Sequence, residues 1–174
     1  MNNAVTDSAW TAYLRHGTRE QHKRLDSNPV LQALIRPDLT EQDYRNSLSL
    51  LASIWQPFGA RYSWAHRFSQ ALTQDCRHHQ LTINPVMLPP TSTREAQLAW
   101  QYVMWGSIQG GAFLHRRLHS RGDLSLAFFG RCTQPLIFPD TMDRPAKDCL
   151  EPARQVFDFW IEQAAQHSPA KLMA

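Results

Sequence analysis

The sequence predicts an all-α fold, a multi-helical bundle, and three observations carry that reading. Apolar residues recur at spacings of three and four along most of the chain, which is the period of one helix face. Helix-start signals stand in front of those periodic segments. No stretch alternates apolar and polar residues long enough to make a strand. The 174 residues suit one domain, 1–174, with an ordered core from about residue 8 to 167.

The first periodic segment runs from about Asp7 to Asp26, with Trp10, Leu14, Thr18, His22 and Leu25 on one helical face. Asn28-Pro29 opens a short second helix, because proline suits the first turn. That helix ends near Arg36-Pro37. A third starts after Thr40, a good N-cap, with Glu41 and Asp43 in its first turn. Tyr44, Leu48, Leu51, Trp55, Phe58 and Tyr62 mark its buried stripe, and Pro57 predicts a kink or a break. The stretch Asn84–Pro90 holds three prolines in seven residues and reads as a stiff connector. His78-His79 falls in a polar stretch before it.

Ser92 and Glu95 have capping-box spacing, and a long helix is expected from about Thr93 to Ser120. Its apolar residues include Leu98, Tyr102, Trp105, Phe113, Leu114 and Leu118. Arg121-Gly122-Asp123 breaks the pattern. A short helix from about Leu124 to Cys132 precedes a loop with Pro135, Pro139 and Pro145. The last helix spans about Ala146 to His167, with Val156, Phe157, Phe159, Trp160 and Ile161 as its core face.

Composition removes several function classes. An apolar share of 43% with 19% charged residues belongs to a globular chain, not a disordered one. The net charge of +3 comes from scattered residues. No basic block and no nucleic-acid-binding signature accompany it, so nucleic acid is not the expected partner. The basic balance suits an acidic redox partner or a carboxylate-bearing ligand. Cys76, Cys132 and Cys149 are odd in number and widely spaced, as for free thiols in a reducing, cytoplasmic setting. Met1 to Ser8 lacks a signal-peptide pattern, and no apolar run approaches the ~20 residues of a membrane span.

The most unusual local feature is Trp105-Gly106-Ser107-Ile108-Gln109-Gly110-Gly111. The chain has seven glycines, and three fall here, inside a helical segment where each costs about 1 kcal/mol relative to Ala. Glycine permits close approach of backbone to another surface, or bending. Gly106 and Gly110 share one face and make a bare strip on which a flat group could rest. The plainer reading is close helix–helix packing.

His22 is the second candidate. A neutral imidazole is a suitable metal ligand, and Asp26, one turn on, is placed to orient it. Arg15 and Arg19 precede it by seven and three residues and could reach carboxylates of an anionic ligand. The plainer reading is a satisfied core histidine with solvated charges around it. His115 and His119 have metal-competent spacing but no evident third ligand. Ser107 lacks the strand and GxSxG elbow of a hydrolase. There is no phosphate-binding Walker loop and no Glu-x-x-His pairing of a di-iron bundle.

Together the two segments resemble bacterial haem oxygenases. Leu14-Arg15-His16-Gly17-Thr18-Arg19-Glu20-Gln21-His22-Lys23-Arg24-Leu25-Asp26 is similar to that family's opening, and Tyr102–Leu114 looks like its distal-helix signature. Ala153–Phe159 is similar to its last helix, so the resemblance spans about residues 10–165. It implies haem, as cofactor and substrate, sandwiched between a proximal and a distal helix. His22 would ligate the iron. Gly106, Gly110 and Gly111 would let the distal backbone approach the macrocycle. Ser107 falls where mammalian members carry an aspartate that organises distal water. Arg15 and Arg19 match positions near the propionates. The implied reaction is opening of haem to biliverdin, carbon monoxide and iron, with O₂ and an electron donor such as a ferredoxin or flavoprotein reductase. Trp105 and Gln109 depart from the family pattern, which has Glu and an apolar residue there. Two alternatives stay open: a haem carrier of the same fold without turnover, and a helical interaction protein without haem.

Overall fold

A computed structural model describes residues 9–136 and 144–167; Pro139 and the outermost residues of both ends lie outside them. Every regular element among the described residues is helical. In chain order these are α1 (Ala9–Gly17), α2 (Arg19–Asp26), α3 (Pro29–Gln32), α4 (Glu41–Arg61), α5 (His66–His78), α6 (Arg94–Leu118), α7 (Ala127–Cys132) and α8 (Ala146–Gln166). Single 3₁₀ turns follow α3 and α4.

The expected first helix is two helices. Thr18 leaves helical geometry at φ −106°, ψ 10°. Its hydroxyl donates to the Leu14 carbonyl at 2.8 Å, the back-bonding by which threonine bends helices. Backbone bonds from Thr18 to Leu14 and from His22 to Thr18 carry the register across the bend. Arg154 of α8 donates Nε–H to the Gly17 carbonyl at 3.1 Å, so the junction is held from outside.

α3 starts as expected, with the Asn28 side chain accepting from the Val30 N–H and Pro29 in the first turn. α4 has a full capping box, the Thr40 hydroxyl accepting from the Asp43 N–H and the Asp43 carboxylate from the Thr40 N–H. Tyr44, Leu48, Leu51, Trp55 and Phe58 are buried as the period predicts, while Tyr62 is half-buried. Pro57 does not break the helix. It cannot bond the Ser53 carbonyl four residues back. That carbonyl instead accepts the Val86 N–H at 3.0 Å, which pins the proline-rich connector to α4.

α5 was not legible in the pattern. It buries Phe68, Ala71, Leu72 and Cys76, but charged and polar residues surround that narrow stripe. His78 and His79 thus end a helix, and His79 is buried with Asp75 one turn before it. Asp75 is fully buried and caps α7 from a distance. Its carboxylate accepts the Ala127 and Phe128 N–H groups, each at 2.8 Å, and the Ser125 hydroxyl at 2.6 Å. α7 accordingly starts later than its period suggests, at Ala127.

α6 is capped by Thr93, whose hydroxyl accepts the Ala96 N–H, not by Ser92. Glu95 instead pairs with Arg144 at 3.4 Å. α8 passes through Pro152 unbroken and buries Val156, Phe157 and Trp160, leaving Phe159 and Ile161 half-buried. It packs on α6 along one side and on α1 and α2 along the other. Trp55 centres the core, its ring against Phe58, Phe68 and Phe128.

Asp75→Asn keeps the size of the side chain but turns an amide donor towards one of the α7 N–H groups. The expected loss is about 1–3 kcal/mol, and thermal unfolding checks it as a fall of roughly 2–4 °C per kcal/mol.

Candidate functional site

A cavity of about 1180 Å³ opens between α1–α2 and the middle of α6. That exceeds the ~300–1,000 Å³ of ordinary small-ligand pockets. Phe128 and Phe129 of α7 and Phe157 and Trp160 of α8 supply aromatic wall that sequence reasoning did not assign. From one side Arg15, Arg19, His22 and Asp26 reach the cavity; from the other Gly106, Ser107, Gly110 and Gly111 do. Residues about 85 positions apart in the chain are thus brought face to face.

His22 is not a core histidine: its side chain is 52% exposed within the cleft. Its Nδ1 lies 2.8 Å from Asp26 Oδ2. A carboxylate only accepts, so Nδ1 carries the proton and the Nε2 lone pair is left for a ligand. Phe157 backs the ring at 5.4 Å between centroids. Asp26 is itself fixed, since its backbone carbonyl accepts the Gln32 side-chain amide. The hydrogen bond to Asp26 holds the His22 pKa above its usual value, against the partial desolvation that opposes it.

Arg15 and Arg19 are exposed on the cleft rim, joined by His16 and Lys23, which the sequence reading did not single out. Arg15, Arg19 and Lys23 stand four residues apart, so a basic stripe at helical spacing was available as a signal. Lys23 also pairs with Glu20 at 3.3 Å.

The three glycines divide. A Cβ on Gly106 or Gly110 would meet nothing within 4 Å, so neither position exists to let helices pack. A Cβ on Gly111 would lie 2.6 Å from Cys132 Sγ, so Gly111 does pack α6 against α7. α6 runs unbroken through all three, and none has positive φ. Trp105 and Gln109 also line the cleft, the ring buried and the amide exposed. Phe113, expected among the apolar residues of the helix, is 48% exposed and belongs to the cleft lining. Arg117 donates to the Ile35 carbonyl at 2.9 Å, tying α6 to the turn after α3.

Other candidates stay outside. His115 and His119 stack at 6.3 Å, but among the described residues no three metal-ligating side chains come together. No described helix is long and apolar enough to cross a membrane.

This architecture is a haem oxygenase-like all-helical fold. The chain superposes on the heme oxygenase of Neisseria meningitidis, solved in NO- and CO-bound forms, with a TM-score of 0.59 over 91% of each chain. Sequence identity is 16%, so the likeness is one of fold. No family model matches the sequence, and no curated protein matches it.

Gly106→Ala and Gly110→Ala should each raise stability by about 0.5–1 kcal/mol, since helix propensity improves and nothing clashes. Gly111→Ala should lower it by about 1–3 kcal/mol, because the buried Cys132 has little room to yield. Denaturant midpoints separate the two behaviours. By NMR, His22 should titrate above 6.5, and Asp26→Asn should bring its midpoint down. The sign is fixed by the raised value: the charged pair favours the fold below pH 6.5, and that contribution is lost as pH rises through the raised pKa.

Proposed function

We propose that the cleft binds haem and that His22 Nε2 would hold its iron. We further propose that the protein opens haem to biliverdin, carbon monoxide and iron, using O₂ and an electron donor such as a ferredoxin or flavoprotein reductase. One observation carries this: a histidine with Nδ1 held by a carboxylate faces, across a roomy cleft, a helix strip whose two glycines border open space. A large flat ligand with a metal at its centre and acidic groups at its edge suits those surfaces.

Haem supplies the oxygen chemistry when bound; the protein supplies ligation, orientation and dryness. Asp26 sets the His22 tautomer and ring angle. Arg15, Arg19 and Lys23 meet carboxylates at the cleft rim through charge-assisted hydrogen bonds. Phe128, Phe129 and Phe157 exclude water from the interior. Gly106 and Gly110 let the α6 backbone come close to the macrocycle, while Gly111 holds α6 on α7. Ser107 brings a hydroxyl to the distal wall, where it orders water. All three cysteines are free, which supports a reducing, cytoplasmic setting.

Haem titration tests the reading. One equivalent should give a Soret band of a histidine-ligated haem, shifted or weakened in His22→Ala. Gly110→Leu should fold yet lose haem uptake, because the added side chain fills the strip. Reductant and O₂ should then bleach the Soret as biliverdin absorbance rises. A stable spectrum through repeated reduction with several donors would leave a haem carrier, and no uptake would remove haem altogether.

A further inference from the structure

We infer that Gln32 is a positioning residue for His22: by holding Asp26, it keeps the His22 proton on Nδ1 and the Nε2 lone pair open to the cleft. The inference rests on the haem reading, in which Nε2 would hold the iron, and deepens it. Gln32 ends α3, is half-buried and lines the cleft. Its side-chain amide donates to the backbone carbonyl of Asp26, six residues earlier.

α2 is eight residues long and buries none of them fully. Local bonds shape its last turn: the Ser27 N–H and hydroxyl both reach the Lys23 carbonyl, and the Asn28 N–H reaches the Leu25 carbonyl. These bonds stay within the segment and tie it to no other part of the fold. The Asp26 side chain is 62% exposed, so packing does not fix its direction. Its backbone carbonyl is one of those a helix end leaves without an intrahelical partner, and Gln32 takes it. α3 is firmly seated. Val30, Ala33 and Leu34 are buried around it, and Ser47 of α4 donates its hydroxyl to the Val30 carbonyl at 2.7 Å. Gln32 therefore passes the position of α4 to the turn that carries Asp26, at the opposite end of α2 from the Arg154–Gly17 contact. With that turn fixed, the Asp26 carboxylate stays 2.8 Å from Nδ1. The bond made at one ring nitrogen sets where the proton sits, so a displaced carboxylate would let the proton move to Nε2, the nitrogen needed for ligation.

The test starts with the protein free of haem. Methionine is close to glutamine in length and helix propensity, so Gln32→Met should keep the fold while removing the donor. The ring-nitrogen shifts of His22, read by NMR at a pH where the imidazole is neutral, report its tautomer. The Nε2–H share should rise about two- to fivefold in Gln32→Met, as when one hydrogen bond is weakened rather than lost, and further in Asp26→Ala. Adding Gln32→Met to Asp26→Ala should raise the share no more, because Gln32 acts through Asp26. In the haem-loaded ferrous protein the iron–histidine stretch should fall in frequency in Gln32→Met, since a weaker bond at Nδ1 makes the imidazole a poorer electron donor. An unchanged tautomer in folded Gln32→Met, or an equal rise in the Asp26→Ala background, overturns the inference, while haem uptake by the unaltered protein upholds the haem reading. The expected tautomer shifts in a protein that takes up no haem would uphold the positioning and remove the haem reading.

Discussion

The cleft depends on α8 acting as a spacer. This helix packs on α6 and on α1 and α2, so the two facing walls of the cleft are set by their separate fits to it. Small buried residues, Cys149, Ala153 and Ala164, keep its partners close, while Phe157 and Trp160 project into the space between them. α2 buries no residue fully, so its own packing holds it weakly. Arg154 on the Gly17 carbonyl, Arg24 against Asp158 at 3.5 Å and Phe157 behind His22 all anchor it through α8. The position of His22 is thus inherited from the last helix of the chain.

The α6 wall has a comparable dependence on α7. Six residues make a helix too short to hold itself. Asp75, from α5, satisfies its first N–H groups, and Tyr44 donates to the Ser125 carbonyl just before it. Phe128 and Phe129 are thereby fixed as cleft wall, and Cys132 as the surface on which Gly111 rests. Burial raises the Asp75 pKa while these donors oppose the rise. A charge kept in such a place serves geometry more than stability.

Much of this was legible in residues alone. The periods of α4, α6 and α8 and the caps at Asn28 and Thr40 are local signals, and they lead to the observed helices. His22, Asp26, Arg15, Arg19 and the glycine strip sit together because each helix presents one face to the same space. What could not be read locally is what depends on distant partners. Pro57 stays in a helix because Val86 takes up the freed carbonyl. α5 is a helix because its narrow apolar stripe finds Trp55 and Phe128. Gly111 differs from Gly106 and Gly110 through Cys132 and Phe129, contacts no spacing shows. Phe157 and Trp160 of α8 looked like core, and side-chain type does not distinguish core from cleft.

The open glycines bear most directly on function. Gly106 and Gly110 weaken α6 by about 1 kcal/mol each relative to Ala, and without a ligand the fold receives no packing in return. A helix tolerates this when tertiary contacts hold it elsewhere. Here Gly111 on Cys132, Arg117 on Ile35 and Arg121 on the Leu39 carbonyl do so beyond the strip. A ligand that lies on the strip binds only the folded state and so restores stability by mass action. Under the proposed function, filling the strip with methyl groups would stabilise the empty protein and obstruct the bound one. Open space at the Cβ position separates these two glycines from Gly17, Gly59 and Gly111, where a Cβ would meet a neighbouring side chain.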